Sequence, residues 1–154
     1  MLTGQKIAKR ICYYLAQQGW EWINGTSIVP MFSRGPLYSN PDNEADSTPL
    51  PKIVVSVEQA DVTVPFSPAW RAMVTLELTS NADDTTAAEH DAHFDELGEL
   101  FIDGATARDA LSALDGFACY MLVLRNQQHG FDARSFQSRL TIEAEVAEVA
   151  AAAV

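Results

Sequence analysis

A chain of 154 residues with 47% hydrophobic residues has the size and composition of one globular domain, which can bury a core without metals or disulfides. The net charge of −11 argues against binding to nucleic acids or anionic membranes, because the sequence has neither an excess nor a run of Lys and Arg. No stretch approaches the roughly 20 apolar residues of a membrane span. Cys12 and Cys119 belong to no CxxC pair and lie in apolar segments, so we expect two reduced core thiols.

The first third of the chain predicts a helix, a short hairpin and a long irregular arm. Apolar residues repeat on one helical face and Gly19 follows them, which predicts a helix over residues 4–18. Residues 20–23 and 26–29 flank Asn24-Gly25, a pattern typical of a hairpin with a type I′ turn. Residues 30–51 contain five prolines and one glycine among acidic residues, a composition that excludes a regular element.

Four further segments predict strands that pair as two hairpins. Residues 52–58 have the composition of a strand, and residues 70–79 and 136–146 alternate between apolar and polar side chains, which predicts one buried and one wetter face. Residues 117–124 are apolar at nearly every position, which is typical of a central strand covered on both faces. Residues 126–133 are predicted to form the turn that precedes the last strand.

Two helices are predicted between the hairpins. Thr86 and Glu89 match the capping box, and the helix that they begin extends to about Ile102, with Gly104 ending it. Thr106 begins a shorter second helix. The element order predicts an α+β fold, in which an antiparallel four-stranded sheet carries the N-terminal helix and the central helix pair on one face. We expect residues 1–146 to form this single domain, with the arm at 30–51 within it, and residues 147–154 to form an alanine-rich C-terminal tail.

His90 and His93 are the strongest candidates for site chemistry. They lie three residues apart on one predicted helix, beside Glu89 and Asp91, a spacing that would let them share a metal. However, the HExxH pattern is absent, and His90 falls on the apolar stripe, where a packed, hydrogen-bonded core histidine is the simpler interpretation. No GxSxG, P-loop or GxGxxG motif is present. The sequence therefore predicts no catalytic residue, metal site or cofactor, and a small metal-dependent or hydrolytic enzyme centred on the two histidines stays open as the alternative.

Three stretches resemble the tail terminator, or tail-completion, proteins of long-tailed bacteriophages. They are Pro51-Lys52-Ile53-Val54-Val55, then Trp70-Arg71-Ala72-Met73-Val74-Thr75-Leu76, then Ser80-Asn81-Ala82-Asp83-Asp84-Thr85-Thr86 with His90 after it. The order of N-terminal helix, hairpin, helix and hairpin is similar too. The resemblance covers the first helix and about residues 51–146, and it rests on a strand pair and a capped helix rather than on catalytic motifs.

The resemblance implies a non-enzymatic virion structural protein that forms a ring, often hexameric, which caps the tail tube and joins it to the neck. Its partners would be copies of itself, the tail tube protein and a neck or connector protein. DNA would pass through the lumen only as cargo, which suits an acidic chain because like charges keep the duplex from sticking. The protein would lie in the tail or neck of the virion, and in the host cytoplasm during assembly. Another head-tail connector protein is the alternative within this class.

Ring contacts are expected on exposed strand positions and on the arm. Trp20 and Trp22 share one side of the predicted short strand and form a small apolar patch of the kind that often meets a partner. A cyclic ring also needs head-to-tail contacts between unlike surfaces. The residues that we expect at the interface are Trp22, Phe32, Arg34, Tyr38 and Met73.

Overall fold

The computed structural model describes residues 4–18, 22–23, 26–27, 29–32, 51–62, 69–83, 85–114, 116–132 and 134–148. Three helices and seven strands occur in these ranges. In chain order they are α1 (Gly4–Gln17), β1 (Trp22–Ile23), β2 (Thr26–Ser27), β3 (Val29–Phe32), β4 (Lys52–Val62), β5 (Ala69–Asn81), α2 (Ala87–Ile102), α3 (Gly104–Ser112), β6 (Phe117–Asp132) and β7 (Ser135–Glu148).

The main sheet has the strand order β3-β4-β5-β7-β6. Its last four strands are antiparallel and consist of the two predicted hairpins, joined where β5 pairs with β7. That central pairing runs without a register shift from Ala69↔Ala147 to Asn81↔Ser135. The predicted α+β fold with an antiparallel four-stranded sheet is therefore confirmed, and β3 adds a fifth strand that is parallel to β4.

β3 shows that the prediction of an entirely irregular arm over residues 30–51 was wrong at its beginning. Val29 pairs with Lys52, and the ladder continues to Phe32↔Val55. Pro30 is tolerated in this strand because β3 lies at the edge of the sheet, where the missing N–H of a proline need not break a ladder hydrogen bond. Residues 33–50 lie outside the described residues, so the rest of the arm stays a prediction.

The predicted N-terminal helix is confirmed, whereas the short hairpin is confirmed only in part, because Val29 of its second arm belongs to β3. α1 ends at Gln17, one residue before the predicted end. β1 and β2 pair antiparallel through Trp22↔Ser27 and Ile23↔Thr26, while the Asn24-Gly25 turn lies outside the described residues. At the other end of the chain β7 reaches Glu148, two residues into the segment predicted as a tail.

β6 is an edge strand, which corrects the prediction of a central strand over residues 117–124. No described strand pairs with its outer edge, and Tyr120 is 56% exposed there. Its apolar run arises because Met121 and Val123 are half-buried on one face, while the other face packs under α3. The strand also continues through the predicted turn at 126–133, and the described backbone reverses at Arg134, whose φ of 67° is left-handed.

The helices lie on one face of the sheet. Tyr14 of α1 meets Phe101 of α2 edge to face, with 6.0 Å between the ring centroids, which places both helices on the same side. Beneath them buried partners such as Leu76↔Leu140 alternate with residues that point away from the helices. We call the side that no described helix covers the open face; its residues include Arg71, Met73, Thr75, Glu77, Met121, Val123, Arg139, Thr141, Glu143 and Glu145.

Both cysteines lie in or against the core as free thiols, as predicted. Cys119 is buried, and Cys12 is half-buried and packs against the core cluster. Loss of solvent around the thiolate raises the pKa of Cys12 to about 12 and that of Cys119 to about 11. Both groups are therefore protonated and weakly nucleophilic near neutral pH.

Asp103 joins the two central helices. Its carboxylate accepts hydrogen bonds from the Thr106 hydroxyl at 2.7 Å and from the backbone N–H of Ala105 at 3.2 Å, and these bonds lower its pKa, the Thr106 hydroxyl most strongly. Gly104 is thus the first residue of α3, which corrects the prediction that it ends α2 and that Thr106 begins the next helix. Among the described helices none is long and apolar enough to cross a bilayer.

We predict that Gly104→Ala lowers the free energy of unfolding by about 2 kcal/mol or more. A Cβ on Gly104 would overlap the carbonyl oxygen of Leu122, and a strand backbone cannot move aside as a side chain can. Gly98→Ala is the matched control. Its Cβ would meet only the flexible Gln127 side chain at 3.2 Å, and alanine favours the helix by up to about 1 kcal/mol. Chemical denaturation measures both variants, and equal stabilities would contradict the close α3–β6 packing.

Candidate functional site

His90 is a buried histidine in the first turns of α2, and both of its ring nitrogens lie at hydrogen-bond distance from serines. Nδ1 is 2.8 Å from the hydroxyl of Ser80 on β5, and Nε2 is 2.8 Å from the hydroxyl of Ser138 on β7. The helix begins at this place because the Thr86 hydroxyl accepts a hydrogen bond from the backbone N–H of Glu89. α2 is thereby fixed by its first turns to the two central strands.

His129 extends this network. Its Nδ1 is also 2.8 Å from the Ser138 hydroxyl, and it is 4.0 Å from a carboxylate oxygen of Asp91. A neutral imidazole donates through one nitrogen and accepts through the other, so the row Ser80, His90, Ser138, His129 can be satisfied with the hydrogen bonds running in either direction. The row is a polar network that crosses from helix to sheet; Ser80, His90 and Ser138 are buried in it, while His129 is exposed.

The network contains the residue types of a hydrolytic triad but not its geometry. His129 presents the same nitrogen, Nδ1, to both Asp91 and Ser138, whereas a triad histidine holds its carboxylate and its nucleophile on opposite ring nitrogens. Ser138 is only 2% exposed, which keeps a substrate from its hydroxyl. The arrangement can therefore orient α2 and exclude water, and it offers no accessible nucleophile at Ser138.

Burial lowers the pKa of His90 from its usual value of 6.5. The negative charge of Asp91 acts in the opposite direction, while His129 and His93 lower the pKa a little further. His90 is therefore neutral near pH 7, which matches a ring that both donates and accepts.

The metal pair considered from the sequence does not form a shared site around His90. Both ring nitrogens of His90 face serine hydroxyls, so metal binding would break one of these contacts. Among the described residues no group of three or more His, Cys, Asp and Glu side chains could hold a metal ion. His93 is half-buried further along α2, and the carboxylate of Glu89 accepts the Thr86 hydroxyl at 3.2 Å within the capping motif.

The outer half of β6 is exposed, and the β6–β7 hairpin ends in an aromatic pair. Residues 125–131 are all exposed, and Phe131 is 63% exposed. Its ring packs against Phe136 of β7 at 5.3 Å, and the Phe136 ring lies 5.6 Å from His90. We call Phe131 and Phe136 the hairpin tip. Sequence reasoning missed this surface because it assigned residues 126–133 to a turn, although Phe131 and Phe136 were visible as large apolar residues beside it.

The open face has a carboxylate at its centre that binds two arginines. Glu143 Oε2 lies 2.6 Å from Arg125, Glu143 Oε1 lies 3.5 Å from Arg71, and the Glu143 side chain is only 14% exposed. Met73 and Val123 flank Glu143 across the strands and are half-buried. The open face thus combines charges that are largely neutralised with apolar side chains that no described helix covers.

The residues predicted at an interface fall on different parts of the structure. Met73 lies on the open face beside Glu143. Trp22 belongs to β1 and Phe32 ends β3, but only their backbones are described. Arg34 and Tyr38 lie outside the described residues. The interface assignment therefore stays a prediction for all five.

Comparison with known proteins finds weak similarity among solved structures. No family model matches this chain, and no curated protein matches it. A solved structure with a similar chain is the virion of native gene transfer agent (GTA) particle, at 14% sequence identity and a TM-score of 0.45. The match covers 95% of this chain and 99% of that chain. A likeness at this level carries no conclusion about function.

We predict that the protein loses stability as the pH falls below 6.5, the usual pKa of histidine. Because burial lowers the pKa of His90, the unfolded chain binds more protons than the folded one in the window from 6.5 down to the lowered value. The free energy of unfolding then falls by at most about 1.4 kcal/mol per pH unit from this residue. The His90 contribution is fully present above the window and lost below it.

Urea denaturation at several values between about pH 8 and about pH 5 measures this dependence. His90→Gln is expected to flatten the slope in that window, whereas the matched variant His93→Gln keeps it. A slope that survives unchanged in His90→Gln would show that His90 is not the group responsible.

Proposed function

We propose that this protein is a virion structural subunit, a tail terminator that assembles into a hexameric ring, caps the tail tube and joins it to the neck. The observation that carries the proposal is the hairpin tip, in which the exposed Phe131 packs on the half-buried Phe136 at the end of the sheet. Exposed aromatic residues that a scaffold holds in place are typical anchors in protein–protein contacts.

The energetics of the hairpin tip favour a contact with another chain. Phe131 is 63% exposed, so burying the rest of its side chain contributes about 1–2 kcal/mol, a fraction of the value for a fully exposed phenylalanine. The packing of Phe131 on Phe136, and of Phe136 near His90, holds the ring in place before binding. Little side-chain entropy is then lost on association, so more of the burial energy is available to the complex.

The residues that resemble tail terminators support the same function because they lie together in the fold. Residues 51–55 and 70–76 fall in the adjacent strands β4 and β5, where Val55 pairs with Leu76. Residues 80–86 lead from the end of β5 to Thr86, the N-cap of α2. The resemblance thus concerns one continuous unit of sheet and helix.

The open face is proposed to dock to the tail tube or to the neck. Met73 and Val123 supply apolar area there, and the pairing of Glu143 with Arg125 and Arg71 reduces the cost of removing water from the charges. Further contacts are proposed for Trp22 on β1, for Phe32 at the end of β3, and for Arg34 and Tyr38 on the arm. The net charge of −11 suits a ring through which DNA passes without being held.

Removal of the gene from its phage tests this function. Negative-stain images of the resulting particles are expected to show overlong or headless tails, because nothing would stop tube growth or create the joining surface. Particles of normal form would contradict the proposal. Headless tails of normal length would support the joining to the neck but would contradict control of tube growth.

Phe131→Ser is predicted to leave the fold intact and to fail in rescuing the deletion. Because Phe131 is exposed, the free energy of unfolding should change by less than about 1 kcal/mol. Tyr120→Ser is the matched control, since Tyr120 is 56% exposed on the same strand but lies far from the hairpin tip. Infectious titre and tail images measure the rescue, and full rescue by Phe131→Ser would remove the hairpin tip from the mechanism.

A further inference from the structure

α1 has a basic outer surface on an otherwise acidic protein. Among the helices and strands that the structure describes, it alone has a net positive formal charge, since it contains Lys6, Lys9 and Arg10 and no acidic residue. These side chains line a surface pocket of about 420 Å³ together with Tyr13 and Phe117. We call Lys6, Lys9, Arg10 and Tyr13 the basic face.

On the basic face, Lys6 is held in an ion pair, and Arg10 and Tyr13 lie beside it. Lys6 binds Glu148 at the end of β7 with a 3.1 Å ion pair. Arg10 takes part in none of the ion pairs within the described residues, although it lines the same pocket. Tyr13, three residues further along the helix, is 55% exposed. Arginine and tyrosine are among the residues that contribute most to protein–protein contacts.

α2 has the opposite charge. It contains no Lys or Arg, and its five acidic residues are all exposed. Asp91 and Asp95 lie one turn apart, and Ile102, which is 67% exposed, follows on the same side two turns later. The acidic face is formed by Glu89, Asp91, Asp95, Glu96 and Glu99.

The basic face and the start of α2 lie at opposite ends of the sheet. Lys6 contacts Glu148, while His90 contacts Ser138 on the same strand. The ten residue steps from Ser138 to Glu148 span about 33 Å at about 3.3 Å per residue. One copy can therefore present the start of its α2 to the α1 of the next copy while its own α1 stays accessible. That is the contact between unlike surfaces that a ring requires.

We propose that the basic face of α1 binds the acidic face of α2 on a second copy of this chain, so that copies join head to tail. This inference rests on the proposed function, because it names the contact that closes the ring.

The charges identify the partner of the basic face as a second copy of this chain. Two chains of net charge −11 repel each other in most orientations, and contact between α1 and α2 is the approach in which opposite charges meet. The same net charge opposes DNA as the occupant.

A charge swap tests the contact in the full-length chain. Sedimentation velocity over a concentration series is expected to show self-association that weakens with added salt, because the charges involved are exposed except for the half-buried Arg10. Arg10→Glu or Asp95→Arg alone should weaken association at least about tenfold, since each places like charges opposite one another. An equimolar mixture of the two variants should restore it, because in an alternating ring every contact again pairs opposite charges.

Arg108→Glu is the matched control, because it makes the same change of charge on α3 and should associate as the wild type does. Thermal unfolding of each variant separates a lost contact from a lost fold. A wild-type chain that stays monomeric, or a mixture no better than either variant, overturns the inference. Arg10-dependent binding to duplex DNA, with self-association unchanged, overturns it too. A deletion phage with overlong tails would then still support the tail terminator function, so the two proposals fail separately.

Discussion

The pairing of β5 with β7 is the contact on which the rest of the molecule depends. It runs without a shift over the whole of β5, and it decides which residues face the helices and which lie on the open face. A slip of one residue would turn Leu140 away from the core and bring charged Arg139 into it, at a large cost in desolvation. In the native register Arg139 instead binds Glu77 directly across the strands, with 2.8 Å between the charged atoms.

The same register positions the histidine network and, through it, the hairpin tip. His90 reaches Ser80 and Ser138 only while β5 and β7 hold these serines under the start of α2. An imidazole left without partners in this place would cost roughly 1–3 kcal/mol, so the network favours one docking of the helix. Phe136 packs near His90 and supports Phe131, so the exposed ring at the hairpin tip is linked to the centre of the sheet.

Local patterns in the sequence predicted the elements whose causes are local. The alternation in β5 and β7 and the capping motif at Thr86 were enough to place the central sheet and α2. The two halves of β6 were assigned wrongly, because its apolar start resembles a buried central strand and its polar continuation resembles a turn. The pairing with β7 shows that both halves belong to one edge strand. The serine partners of His90 lie 10 and 48 residues away along the chain, and no spacing rule connects them. The exposure of Phe131 could not be predicted from local sequence either, because it depends on where the β6–β7 hairpin ends.

We expect this protein to work through surfaces that contact neighbouring chains. The alternative is a mechanism that works through reactive groups. Electron cryomicroscopy of intact phage particles distinguishes them most directly. We predict one ring of copies at the head-proximal end of the tail, with Phe131 of each copy buried against a neighbouring chain. Particles that contain no such ring, or a ring in which Phe131 faces solvent, would contradict a function based on those surfaces.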